Sequence, residues 1–205
     1  MYGKISILQK HFTIMKGINI FLADGFEDME ALATCDVLRR AGLDVRLVSI
    51  TDAPFVTSSH GVEIDADCIL EELNLSSKGT ESSDIMIFPG GMPGSKSLGG
   101  CKPLIKAMKE HYAAGGTVAA ICAAPGLVFS QLGAMEGVEF TCFDGFEDPL
   151  VAQGAVFTPK PAVRCGRIIT GRSAGHAVSF ALEIVAALAP AKLEDVKHAL
   201  FLWTA

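Results

Sequence analysis

The chain has 205 residues, with 17 Lys and Arg against 23 Asp and Glu, a formal charge of −6; half of the residues are hydrophobic and a fifth are charged. This length fits one domain with a short extension and buries enough apolar surface to fold without disulfides. The apolar content excludes disorder, the acidic balance argues against a nucleic-acid partner, and no apolar stretch reaches the roughly 18–20 residues that a bilayer requires.

Residues 1–14 carry no signal-peptide pattern, and Met15 offers a second plausible start. The expectation is an amino-terminal extension over 1–14 and a single domain over 15–205. Residues 18–23 (INIFLA) read as a strand buried on both faces. A helix follows, with Met29, Leu32, Ala33, Val37 and Ala41 on its inward face and Gly42 as its stop. Residues 45–50 (VRLVSI) form the second strand, 55–64 a small β excursion, 69–73 one helical turn and 76–83 a polar loop. A third strand at 85–88 (IMIF) runs into a glycine-rich loop, and a helix over 103–114 turns Leu104, Ile105, Met108 and Tyr112 inward. The fourth strand is 117–121 (TVAAI), and 125–132 is helical. Weaker strands lie at 139–143 and 162–165, and a firmer one at 168–170. The spacing of Ala177, Phe180, Ala181, Ile184, Val185 and Leu188 marks the clearest amphipathic helix, and 193–202 is the last. Alternating strands and helices predict an α/β fold, a mostly parallel sheet with helices on both faces. Ligands in such sheets sit at the carboxyl ends of the strands, so four loops carry the functional reading.

The first loop, DGFEDME, places three acids near a helix start, where the dipole also favours them, and Glu30 lies one turn in. The second, FPGGMPGS, lacks the pattern of a phosphate loop. It is either a tight turn or a place where Gly90 and Gly91 aim backbone N–H groups at a reacting oxygen. The third, ICAAPG, sets Cys122 at a strand-to-helix join with only small residues after it, the arrangement a nucleophile elbow needs. A helix start there would stabilise the thiolate and lower the Cys122 pKa; the alternative is a buried core thiol. The fourth, TGRSAGHA, offers Arg172 and His176 either as contacts for a substrate carboxylate or carbonyl, or as an ordinary exposed helix start. The six cysteines are scattered singly without metal-ligand spacing, so free thiols in a reducing cytoplasm are expected, and no metal.

The segments GFEDMEA, DVLRRAGLDV, DIMIFPGG, AAICAAP and TGRSAGHAVSFALEIV occur in an order that resembles the ThiJ/PfpI superfamily, in its deglycase branch, over nearly the whole chain after Met15. The resemblance implies a flavodoxin-like three-layer sandwich, a homodimer and no cofactor. It implies that Cys122 is a nucleophilic, oxidation-sensitive cysteine, that Glu30 hydrogen-bonds it, and that Gly91 and Ala123 supply backbone donors. The implied activity is a glyoxalase or deglycase acting on reactive carbonyls or early glycation adducts; the alternative is a redox-sensing, stress-protective protein using the same thiol without turnover. Ala123 stands where peptidase-like branches carry a histidine, which disfavours a protease. The family's pocket arginine falls on His60. Its further histidine falls on Cys142 or Phe143, and Cys142 is then either a resolving thiol or a buried neighbour.

Overall fold

The computed structural model describes residues 13–133 and 135–202. The expectation for 1–12 lies outside the described residues. Thr13–Ile14 (β1) pairs in parallel with Leu73–Asn74 (β7) as a separate two-stranded ribbon, and Met15 is buried in the core.

The remaining strands are Ile18–Leu22 (β2), Val45–Ser49 (β3), Phe55–Thr57 (β4), Glu63–Asp65 (β5), Cys68–Ile69 (β6), Ile85–Phe88 (β8), Thr117–Ile121 (β9), Glu139–Phe140 (β10), Val156–Phe157 (β11), Ala162–Cys165 (β12) and Ile168–Gly171 (β13). The helices are Asp28–Arg40 (α1), Gly94–Gly100 (α2), Lys102–Ala113 (α3), Ala124–Val128 (α4), Asp148–Val151 (α5), Ala177–Leu188 (α6) and Leu193–Ala199 (α7). Seven strands form the central sheet in the order β12-β13-β9-β8-β2-β3-β6. Every pair is parallel except the β12–β13 hairpin. The core order β3-β2-β8-β9-β13 is the flavodoxin-like doubly wound arrangement, and the chain reverses direction across the sheet between β2 and β8.

Strand side chains alternate between two cores, as the period of two requires. Ile18, Ile20 and Leu22 join Ile85, Ile87, Ala119, Ile121 and Ile169 beneath α1, α6 and α7. Phe21, Met86, Phe88, Val118 and Ala120 face α2, α3, α4 and α5. Phe21 stacks on Phe88 with ring centroids 5.6 Å apart, and Phe88 meets the edge of Phe129 at 6.0 Å. On α6, Phe180, Ile184 and Val185 are fully buried, each stabilising the fold by about 1.5–3 kcal/mol relative to exposure. Among the described residues no helix is long and apolar enough to cross a membrane.

Four details differ from the pattern reading. The buried face of α1 is Glu30, Ala31, Thr34, Cys35, Val37 and Leu38, whereas Met29 is 55% exposed. Two of those buried positions are polar, so an apolar stripe points one residue away from the true face. The glycine-rich loop ends early, because Gly94 already begins α2. The strand expected over 139–143 is only Glu139–Phe140, which pairs with β11 outside the main sheet. The helix after the elbow is the five-residue α4, continued by a 3-10 turn at Phe129–Gln131.

Candidate active site

The carboxyl ends of β2, β8 and β9 converge beside the point where the strand order reverses. Cys122 follows β9 with φ +65°, one of two non-glycine residues at positive φ among the described residues. That conformation is strained for a side chain with a Cβ. It is held from both sides: the Cys122 N–H donates to Gly171 O at 3.0 Å, and the Phe143 N–H donates to Cys122 O at 2.8 Å. The turn leaves the thiol half-buried at the sheet edge.

Glu30 reaches the same point from the first turn of α1. It is essentially sealed from solvent, and its Oε2 accepts the Gly90 N–H at 2.7 Å. The Glu30 carboxyl and the Cys122 sulfur lie within interaction range of each other, the Gly91 and Ala123 N–H groups face that sulfur, and Glu30 Oε1 is buried with no hydrogen-bond partner among the described residues. Gly90 is the spacer that permits this approach. A Cβ on it would stand 2.4 Å from Glu30 Oε2, 2.6 Å from Cys122 Cβ and 3.1 Å from Cys122 Sγ. Gly91 has φ +88°, and a Cβ there would meet the backbone of Gly25 and Glu27 at about 2.5 Å. Of the two glycines read as donors toward the reacting centre, Gly91 faces the sulfur and Gly90 serves the carboxylate.

Burial pushes the Glu30 carboxyl from its ordinary 4.5 up to about 7; the interactions with Cys122 and Gly90 oppose the rise, and the charge of Glu27 adds to it. Burial also pushes the Cys122 thiol up, and the facing Glu30 carboxylate raises it further; the Ala123 and Gly91 N–H groups pull the other way. This overturns the expectation that a helix start lowers the Cys122 pKa. The helix after Cys122 has only five residues and a correspondingly small dipole, whereas a carboxylate lies within interaction range of the sulfur. The two groups titrate as a pair.

The other candidates scatter around this centre. His60, on the β4–β5 excursion, is exposed and its Nδ1 lies 2.7 Å from Asp28 Oδ2. The Ser58 hydroxyl donates to Asp28 Oδ1 at 2.6 Å. The His60 pKa is raised by its bond to Asp28, and that of Asp28 is lowered because the bonds from Ser58 and His60 outweigh its burial. Glu27, Asp28 and His60 bring three ligand-type atoms within 4.8 Å of one another. Asp28 and His60 are bonded to each other, however, and Glu27 Oε2 accepts the Glu30 N–H at 2.8 Å, so the cluster is explained as a hydrogen-bonded helix cap.

Arg172 pairs with Asp144 and lies 5.5 Å over the Phe157 ring, which directs it toward the β10–β11 ribbon. The Nδ1 of His176 lies 3.2 Å from Ser173 Oγ at the head of α6. Cys142 is fully buried in the core beneath α2–α5, and burial followed by the Glu147 charge pushes its thiol up to about 12. Phe143 is exposed, and its ring meets the edge of Phe146. Its contribution to the elbow is the backbone bond to Cys122. Pattern reading passed over Glu27, whose position just before a helical run is the signal that would have found it.

Comparison with known proteins extends this geometry. Residues 16–187 match the model of the DJ-1/PfpI family. The chain is 36% identical over 171 residues to the DJ-1 homolog B of Arabidopsis thaliana, covering 83% of this chain and 37% of that protein, so it spans well under half the length of that relative. It is 32% identical over 162 residues to a Caenorhabditis elegans protein named a glutathione-independent glyoxalase, covering 79% and 82% of the two chains. The crystal structure of Drosophila melanogaster DJ-1beta superposes with a TM-score of 0.80 at 31% identity, covering 91% of this chain and 97% of that one. The matched residues run from just before β2 to the last turn of α6, the span that builds both cores and the Glu30–Cys122 contact, and the chain belongs to the DJ-1/PfpI family.

Proposed function

We propose that the chain is a cofactor-independent glyoxalase or deglycase that converts reactive α-dicarbonyls, or their early adducts on amines, to hydroxy acids. The observation that carries this reading is the close approach of a sealed carboxyl group to a thiol on a strained turn. The glyoxalase name of a relative at 32% identity supports it.

With methylglyoxal, Cys122 Sγ bonds to the aldehyde carbon, and the thiol proton passes through Glu30 to the carbonyl oxygen, giving a hemithioacetal. The Glu30 carboxylate then removes the C1 proton, giving an enediolate, and the C1 hydroxyl proton moves to the C2 oxygen. Return of the proton held by Glu30 to C2 gives a thioester of lactate on Cys122. Water cleaves the thioester, restoring the Cys122 thiol and releasing lactate and one proton to solvent, with Glu30 again a carboxylate. The Gly91 and Ala123 N–H groups, which face the sulfur, suit the oxyanions formed beside it. The experiment is lactate production from methylglyoxal by purified protein and by Cys122→Ser. The reading requires turnover in the first and none above background in the second; equal rates refute it.

The same contacts favour a second reading. A sulfinate on Cys122 would accept hydrogen bonds from Gly91, Ala123 and protonated Glu30, which suits a redox sensor. Selective oxidation of Cys122 by mild peroxide without any lactate formation would favour this role over the enzyme. Homodimerisation is proposed with it: Met29 on the outer face of α1 and Met92 in the neighbouring loop are both more than half exposed. Light scattering at micromolar concentration tests this, and a monomer refutes it.

A further inference from the structure

Glu27 occupies the N-cap of α1, where Ser, Thr, Asp or Asn is ordinarily preferred. A cap alone needs only an acceptor oxygen on a short side chain. Glu27 instead folds a longer, charged side chain back, so that Oε2 accepts the Glu30 N–H at 2.8 Å. Its own N–H donates to Gly90 O at 3.0 Å, and Gly90 N–H in turn donates to Glu30 Oε2. The glycine at 91 leaves room for this, since a Cβ there would stand 2.4 Å from Glu27 N. Glu27 is therefore tied to the helix that carries Glu30 and to the loop that contacts it. Its carboxylate is fixed within one helical turn of the Glu30 carboxyl.

We propose that Glu27 is a positioning residue for the Glu30–Cys122 pair: its locked carboxylate holds the pair's first proton in place and so sets the pH at which the thiol becomes available. The inference rests on the catalytic roles given above to Glu30 and Cys122. The groups facing Glu30 are Glu27 from its own helix, Cys122 from the end of β9 and, from the loop after β8, the Gly90 N–H. Asp28, the next residue, is paired with His60. Among the described residues no cation forms an ion pair with Glu27. A negative group at this range opposes a second negative charge on Glu30, and the Glu27 charge acts on Glu30 in that direction.

The test uses Glu27→Gln, which keeps an oxygen for the cap and removes the charge, and Glu27→Asp, which keeps the charge. In wild type, kcat/KM for methylglyoxal rises with pH through a limb centred near the Glu30 value of about 7. In Glu27→Gln the limb lies at lower pH, so that a larger fraction of plateau activity is reached at pH 6 than in wild type. Glu27→Asp restores the wild-type limb. A structural role alone lowers the plateau and leaves the limb in place, which overturns the proposal. The Glu30 carboxyl titration, followed by carbon NMR in wild type and Glu27→Gln, needs no turnover. If wild type shows no turnover, the enzymatic reading fails by itself. An unmoved Glu30 titration refutes the role of Glu27 whether or not the protein turns over.

Discussion

Replacing Glu30 by Gln isolates what it costs to bury this carboxyl group. The amide keeps the shape, an oxygen for the Gly90 N–H and a donor for the Cys122 sulfur, but it cannot ionise. In wild type the carboxyl titrates at its ordinary 4.5 when unfolded and at about 7 when folded. Between those values the folded protein holds a proton that the unfolded chain has released. Stability therefore falls as pH rises from about 4.5, and the loss is nearly complete above about 7. At 1.36 kcal/mol per pH unit, that interval corresponds to roughly 3 kcal/mol. Relative to wild type, Glu30→Gln should thus be roughly 3 kcal/mol more favourable at pH 8 than at pH 4. For a domain of this size that is a relative gain in Tm of about 6–12 °C. Urea denaturation of both proteins at pH 4, 6 and 8 measures it; other titrating groups cancel in the difference, and the Cys122 thiol does not ionise in this range. A stability difference that does not change with pH would refute the reasoning that Glu30 is buried with a raised proton affinity.

The spacer role of Gly90 predicts that Gly90→Ala, whose Cβ would fall 2.4 Å from Glu30 Oε2, breaks the carboxyl–thiol contact and lowers lactate formation at least tenfold while the circular dichroism spectrum stays native. Phe180→Ala should cost about 3–5 kcal/mol in urea denaturation, because its fully buried ring fills the core between α6 and the sheet. Cys142, sealed in the opposite core with a thiol pushed up to about 12, should resist iodoacetamide in the native protein and react fully in urea, as read by peptide mass spectrometry.

Much of the sheet was legible because its strands are short aliphatic runs bounded by turns. INIFLA, VRLVSI, IMIF and TVAAI each correspond to a strand of the observed sheet, within a residue or two at the ends. The inward face of α1 was not, because Glu30 and Thr34 are buried for reasons that hydropathy does not encode. Helix α2 was not legible because Gly94, Gly99 and Gly100 have low helix propensity; close packing of Gly94 and Gly99 against neighbouring backbone overrides that cost. Within the site, the placement of Cys122 after a buried strand and of Glu30 one turn into a helix could be read from spacing. Their contact could be expected only from the family resemblance and not from spacing, since it depends on the strand order that brings β2 and β9 to either side of β8. The direction of the Cys122 pKa is not legible in the local sequence, which shows the helix start but neither the burial of the thiol nor the charge of the carboxylate 92 residues earlier in the chain.

The central claim is that the carbonyl substrate becomes covalently attached to Cys122 during turnover. A reaction with methylglyoxal quenched within the first turnovers, digested and mapped by mass spectrometry, tests it directly. The account predicts a single adduct on the peptide carrying Cys122, absent in Cys122→Ser. Lactate formed without any adduct on Cys122, or adducts spread evenly over the other five cysteines, would contradict it.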